Sequence, residues 1–316
     1  NTLLEKGIPD TCTALINVSG ANVVNPFKRW TSKYREEVRT SRIQSNTLMR
    51  DLIQSAKIKP KVFVTMSHVA IYGSKSDSAT AVANAGAVSE GTPIDPHCDD
   101  YIASCSRDWE LAAQLTDEKS TRLVRQVCLR TGLVLGKTVV DPKRFTGEFE
   151  MAEDYVPYKE TLLYWPTYFA CLARATAKLE YQGFIPWIYV DDLSDVIIHA
   201  IEHREIEGIV NAVSPKPCTP SELADALHAP NSLAFRVIQP DWLLHWERRQ
   251  VFWLSYLVHS QVLKRTGFKF TYPLITRAAD CFVRDLKYQT EYTIRSGFIT
   301  FMVVLFGFGF MMADYV

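Results

Sequence analysis

Four short stretches hold side chains fit for chemistry. Ser67 and His68 are adjacent at the end of the apolar run Lys61-Val-Phe-Val-Thr-Met-Ser67. A hydroxyl beside an imidazole of near-neutral pKa can exchange a proton with a ligand; the alternative is a histidine packed at a strand end. Asn17-Val-Ser19-Gly20-Ala21 closes a second apolar run that starts at Thr13. Open α/β sheets bind ligands at the carboxyl ends of their strands, so this turn is a candidate contact; the alternative is a plain turn that needs a glycine. His97-Cys98-Asp99-Asp100 offers metal-ligand types, but adjacent residues rarely converge on one ion and no partner set is spaced to complete it. His199 and His203 lie one helical turn apart, in HAIEH rather than H-E-x-x-H, which points to surface placement.

The elements that must position these residues follow from the periodicity. Thr13–Ser19, Lys61–Ser67, Val124–Arg130, Ile185–Val190 and Val210–Val213 are short apolar runs that read as strands. Helical spacing covers Lys33–Ala56, Asp100–Leu115, a segment opened by Asp191-Asp-Leu and ending near His203, a helix from Pro220, and the tryptophan-rich 240–264. Asp191-Asp places a carboxylate as an N-cap. Residues 74–100 are small and polar and read as a loop. Strands alternating with helices predict an α/β fold, a parallel sheet with helices on both faces.

Composition narrows the function. The 316 residues hold 35 Lys+Arg and 35 Asp+Glu. A balanced charge argues against a general nucleic-acid surface. The 7 cysteines are scattered and form no C-x-x-C, which reads as reduced thiols in an intracellular compartment.

The motifs INVSGANVVNPFKRWT (16–31), EEVRTSRIQSN (36–46), SHVAIYG (67–73), CSRDWELAA (105–113), LRTGLVLGK (129–137), PWIYVDDL (186–193), GIVNAVSPKPCT (208–219) and VLKRTGFKFTYP (262–273) resemble, in order, the extended short-chain dehydrogenase/reductase superfamily. The chain is most similar to its atypical, epimerase-like branch. The resemblance implies a Rossmann-like core over 1–137, a remodelled insert at 138–184, and a C-terminal substrate-type subdomain at 185–289 that completes the fold. It also implies that Asn17, Ser19, Gly20, Ala21 and Ser67 lie near the ribose and nicotinamide of a dinucleotide. Neither G-x-x-G-x-x-G nor G-x-G-x-x-G occurs in the sequence, so the family's phosphate cradle would lie outside it or be lost. An NADP(H) site would be whole only with that segment.

The same superfamily transfers protons through a Tyr-x-x-x-Lys pair, in which the lysine lowers the phenol pKa by holding positive charge nearby. Here Tyr101 is followed four residues on by Cys105; anchoring on Glu110 instead gives Ile102 and Ser106. Neither register supplies the cation. Ser67, His68 and Tyr101 therefore remain as catalytic candidates without a complete pair.

The tail SGFITFMVVLFGFGFMMADYV (296–316) has no charge between Gly297 and Ala313. At ~1.5 Å per residue this run reaches roughly 26 Å, a little under a ~30 Å hydrocarbon core. A membrane anchor, a helix buried in another protein and a self-packed helix are the three readings. Arg277, Arg284, Lys287 and Arg295 precede the run and Asp314 follows it, which keeps the folded domain on the cytoplasmic or matrix side of an anchor. Together these features lead to the expectation of a catalytically inactive, membrane-anchored accessory subunit. By family analogy it would sit in a mitochondrial inner-membrane respiratory assembly, contacting the lipid bilayer and other subunits through 138–184 and the tail. The alternative is a membrane-tethered NAD(P)-dependent reductase or sugar-nucleotide-type epimerase.

Overall fold

The computed structural model describes residues 6–21, 23, 30–73, 87–98, 100–136, 183–227 and 257–281. All of the insert at 138–184 except its last two residues, most of the tryptophan-rich segment and the tail at 296–316 lie outside the described residues.

Four short strands form one parallel sheet in the order β1-β2-β3-β6. They are β1 (Ala14–Asn17), β2 (Val62–His68), β3 (Arg125–Thr131) and β6 (Gly208–Ala212). A second, two-stranded parallel sheet pairs β4 (Leu133–Leu135) with β5 (Trp187–Tyr189). The helices between them are α1 (Ser32–Ser55), α2 (Tyr101–Ala113), α3 (Glu118–Leu123), α4 (Val190–Glu202), α5 (Pro220–Ala226) and α6 (Gln261–Arg265). The fold is the expected α/β, Rossmann-like arrangement.

Burial on both faces explains why β2 is apolar along its length. Val62, Val64 and Met66 pack with Leu193, Val196 and Ala200 of α4. Phe63, pointing the other way, packs with Leu52 and Ile53 of α1 and with Ala113 of α2. Alternation along a strand sets these two sides. α1 begins at the N-cap Thr31, whose side chain accepts from the Tyr34 N–H, and α5 begins with a full capping box between Thr219 and Glu222.

Three local readings are corrected. The predicted Asp cap of α4 is absent: the helix starts one residue earlier, after Tyr189, with no side-chain cap. Asp192 instead turns inward, fully buried, and accepts the N–H groups of Thr271 and Tyr272 at 2.8 and 2.9 Å. The carboxylate is used to hold a distant loop. β4 was not expected as a strand. It crosses so near the segment before β5 that a Cβ on Gly132 would meet the Pro186 carbonyl oxygen at 2.1 Å, so this crossing requires glycine. α3 was not expected either. Its six residues are too few to show a helical period.

No helix among the described residues is long and apolar enough to cross a membrane.

Candidate functional site

Ser67, Arg130 and Asn211 stand opposite one another on β2, β3 and β6. In a parallel ladder, register partners share a face, so one buried polar row runs across the carboxyl end of the sheet. Their exposures are 1%, 1% and 0%. A charge so deep must be paired. Arg130 is: its Nε and Nη2 donate to the two oxygens of Glu110 on α2, both at 2.8 Å. Burial works against the charge on Arg130, but the two Glu110 hydrogen bonds and its carboxylate outweigh this and hold the guanidinium above its usual range.

Tyr72 covers the row from the 3-10 turn Val69–Tyr72. Its ring lies 4.9 Å from the Arg130 guanidinium, and its hydroxyl donates to Asn211 Oδ1 at 2.9 Å. Burial pushes the Tyr72 phenol up, against the opposing pull of Arg130. Two atoms of the row, Ser67 Oγ and Arg130 Nη1, are buried with no hydrogen-bond partner among the described residues. Buried donors are nearly always satisfied, so this pair makes the row a candidate place for a ligand group.

The turn after β1 is fixed by a second network. Asn17 donates through Nδ2 to Ser45 Oγ and to Asn46 Oδ1 at 3.2 and 2.6 Å. Its Oδ1 accepts from the Ser19 N–H at 3.1 Å and from the Ser19 hydroxyl. Asn46, itself fully buried, donates to the Trp109 carbonyl at 2.8 Å. The Ala21 N–H donates to Ser41 Oγ at 2.9 Å. One buried asparagine thus shapes the turn, while a second ties it to both helices beneath. Gly20 permits the closest approach: a Cβ there would lie 3.1 Å from Arg42 Cγ and Cζ.

Arg42 is the residue the sequence reading missed. Val38, Arg42 and Asn46 recur every four residues on α1, and Tyr101, Cys105 and Trp109 do so on α2. Arg42 Nη1 donates to the carbonyls of Ala21 and Val38 at 2.9 and 3.1 Å, and its guanidinium lies 4.9 Å from the Trp109 ring. No carboxylate pairs with it among the described residues. Burial lowers its pKa, opposed by the neighbouring Cys105, Tyr101 and Tyr34. Cys105 shows the converse: burial pushes its thiol up and Arg42 pulls it down.

The three catalytic candidates are not drawn into one hydrogen-bonded set. Ser67 Oγ bonds to neither of the others. His68 Nδ1 accepts the Ala70 N–H at 3.0 Å, capping the turn that carries Tyr72. An accepting nitrogen is unprotonated and engaged, which favours the packed histidine over an acid–base role for Nδ1. Tyr101 donates to the Arg35 carbonyl on α1 and sets its ring edge-on to Trp30 at 5.6 Å. His199 and His203 stack at 3.8 Å near the opposite end of the sheet, where Arg125 holds the last carbonyls of α4. Both are half-buried rather than on the open surface. No group of three metal-ligating side chains occurs among the described residues.

No family model matches the chain. Individual proteins do. The human epimerase family protein SDR39U1 is 29% identical over 228 residues, which cover 72% of this chain and 65% of that protein. The Bacillus subtilis epimerase family protein YfhF is 26% identical over 285 residues, covering 86% of this chain and 78% of that one. The chain thus spans just under two thirds of the length of the human relative. Among solved structures, human epimerase family protein SDR39U1 (isoform 2) with NADPH superposes with a TM-score of 0.63 at 23% identity, over 89% of this chain and 85% of that one. The UDP-glucuronic acid 4-epimerase of Bacillus cereus, in complex with UDP-glucuronic acid and NAD, gives 0.54 at 13% identity, over 88% and 76%. At these identities the structural likeness establishes the fold.

These findings overturn the expectation of a catalytically inactive, membrane-anchored accessory subunit. The relatives are epimerase family proteins, and one has been solved with NADPH. The mitochondrial inner-membrane placement, which followed from that subunit reading, falls with it; no helix among the described residues is long and apolar enough to cross a membrane. The membrane anchor itself was read from the apolar run at 296–316, which lies outside the described residues.

Proposed function

We propose, from the premise that the chain is of the epimerase-like short-chain dehydrogenase/reductase type, that it is an NADP(H)-dependent enzyme of the reductase or epimerase class. Its chemistry would take place at a carbon bearing a carbonyl or hydroxyl oxygen. The observation that carries this reading is Ser67 Oγ, fully buried, unpartnered, and at the carboxyl end of β2 beside the turn of β1. Leaving a buried hydroxyl without a partner costs about 1–3 kcal/mol. A substrate oxygen is the group that would use it.

Asn17, Ser19, Gly20 and Ala21 would form the wall against the ribose and nicotinamide, and Asn46 keeps that wall in place through Asn17 and Trp109. The small residues Ser19, Gly20 and Ala21 would leave room for a dinucleotide at this end. The glycine-rich phosphate cradle is not among the chain's residues, so these residues account for the nicotinamide end alone. The dinucleotide, when bound, supplies or takes a hydride. The protein's own part is to orient the substrate oxygen with Ser67 and to keep water from the row beneath Tyr72.

The test is a titration of the full chain with NADPH, followed by fluorescence, then turnover of a dicarbonyl probe such as phenanthrenequinone. Ser67→Ala is expected to keep NADPH affinity within about threefold and lower kcat at least tenfold, about 1.4 kcal/mol of transition-state stabilisation. A chain that binds no NADPH, or a Ser67→Ala variant with wild-type kcat, would overturn the reading.

A further inference from the structure

We infer that Arg130 Nη1 joins Ser67 Oγ in receiving the reacting oxygen of the substrate, and that the two hold it as an oxyanion rather than give it a proton. The substrate class is then an electron-poor carbonyl, an o-quinone or a 1,2-dicarbonyl, and not the isolated hydroxyl of a sugar. The inference rests on the dinucleotide-enzyme reading above and decides between its reductase and epimerase arms.

The two donors share one face of the sheet. Ser67 and Arg130 are register partners on β2 and β3, about 4.8 Å apart at their Cα atoms. The Thr131 hydroxyl ties the strands there, donating to the Ser67 carbonyl at 3.1 Å. Phe63, on the same side of β2 as Ser67, packs against α1 and α2; Arg130 reaches α2 as well, through Glu110. Those two bonds use Nε and Nη2 and leave Nη1. Both side chains are 1% exposed, and Ser67 Oγ and Arg130 Nη1 have no partner among the described residues. Two donors side by side fit an atom that only accepts. A carbonyl oxygen and the oxyanion it becomes are such atoms; an alcohol, which must also place its own proton, fits less well.

The nearby groups that could give a proton are committed elsewhere. Tyr72 donates its hydroxyl to Asn211 Oδ1, Tyr101 donates to the Arg35 carbonyl, and His68 Nδ1 accepts the Ala70 N–H. A guanidinium keeps its protons at every accessible pH, and a serine hydroxyl is a feeble acid. Hydride from the reduced dinucleotide adds to the carbonyl carbon, the C=O π bond breaks, and its electron pair stays on the oxygen. Ser67 and Arg130 hold that charge in a place closed to water, where fixed donors act most strongly. Solvent returns the proton as the product leaves. Glu110 already neutralises Arg130, so the oxyanion must be a weak base whose charge a neighbouring carbonyl draws off. The Tyr72 ring, 4.9 Å from the guanidinium, is the cover that lifts for entry.

The first test reads the charge on a bound oxygen and needs no dinucleotide. The full chain is titrated with 4-nitrophenol, whose phenolate absorbs apart from the neutral phenol. At about one unit below the probe's own pKa, about a tenth of the free probe is phenolate. At least about half of the bound probe should be. Arg130→Lys keeps a cation opposite Glu110 without the guanidinium fork and should lose most of the phenolate band. Glu110→Leu/Arg130→Met should lose all of it, and Ser67→Ala at least about half. Tyr72→Phe cuts the tie to Asn211 and should take up the probe faster. In turnover of phenanthrenequinone with NADPH, kcat should stay level within about twofold from about pH 6 to 9, because neither donor titrates there. A probe that binds neutral, or a band that survives in both Arg130 variants, overturns the inference and leaves the two donors to a buried water. So does a kcat that falls as pH rises, which reports a protein acid, and so does uptake unchanged in Tyr72→Phe. Should neither Arg130 variant fold, Ser67→Ala decides, and a full band there refutes the shared oxygen. A phenolate band in a chain that binds no NADPH ends the enzyme reading and keeps the subsite; NADPH-dependent turnover without the band does the reverse.

Discussion

Removing the Glu110 carboxylate should be among the most damaging single changes in this protein. Arg130 is 1% exposed by its side chain and Glu110 16%, so Glu110→Leu leaves a guanidinium buried with no counter-charge and two charge-assisted hydrogen bonds unmade. Breaking one side of a buried pair costs about 3–5 kcal/mol. The face of Tyr72, 4.9 Å away, returns roughly 1–2 kcal/mol at most, an attraction already present before the change. Urea unfolding followed by tryptophan fluorescence is the assay. With a slope of about 2–3 kcal/mol/M, the midpoint should fall on the order of 1.5 M. The companion variant Glu110→Leu/Arg130→Met removes both charges and should recover at least half of the loss, because well-packed apolar replacements of such pairs are near neutral. A single variant that loses under about 1 kcal/mol would show that the pair behaves as a screened surface bridge, and the reasoning from burial would be wrong. So would a double variant that loses as much as the two single changes together.

Three other outcomes follow from the geometry. Asn46→Ala unties Asn17 and leaves the Trp109 carbonyl without its donor; it should cost about 1–3 kcal/mol in urea unfolding and weaken NADPH binding through the turn. Gly132→Ala drives a methyl into the Pro186 carbonyl and should lower stability by about 3 kcal/mol, read as a thermal midpoint about 6–12 °C lower. His199 has its pKa lowered by burial and by His203, against Glu202 and Glu205. A base whose folded pKa is depressed gives stability that is present above its unfolded value and lost as pH falls, so the wild type should lose stability below about pH 6.5 more steeply than His199→Gln.

The elements were legible where the residues obey one rule at a time. β2 is a run of apolar residues that both faces require, and α1 is a long amphipathic segment opened by a threonine cap. The turn Asn17–Ala21 was legible for the same reason, since a strand that stops at a small polar cluster must turn there. What stayed hidden is what depends on two distant segments. Arg42 looks like one more charged residue on a solvated helix face until α2 is laid against it. Arg130 carried a signal that was there to be read, a cation inside an apolar strand run, but its partner Glu110 lies on another element. His68 read as a candidate base because its own imidazole is indifferent to context. Only the Ala70 N–H turns it into a cap. Asp191-Asp offered an N-cap in sequence, and the demand of the Thr271 and Tyr272 N–H groups for an acceptor took Asp192 inward instead.

The parallel order β1-β2-β3-β6 has a bearing on how the chain acquires its shape. Every ladder in that sheet joins strands separated by a helix or more: Ala14 pairs with Val62, Val62 with Arg125, and Val127 with Gly208. No strand can pair with a near neighbour in sequence, so each ladder must close a long loop before any contact repays it. Sheets of this kind assemble slowly. On a ribosome, β2 and β3 would emerge as bare apolar segments and wait for β6 before the row of Ser67, Arg130 and Asn211 could be sealed. The interval in which the protein is most prone to aggregate is therefore set by the synthesis of the 76 residues between Thr131 and Gly208, and slowing translation there should lower the yield of soluble chain.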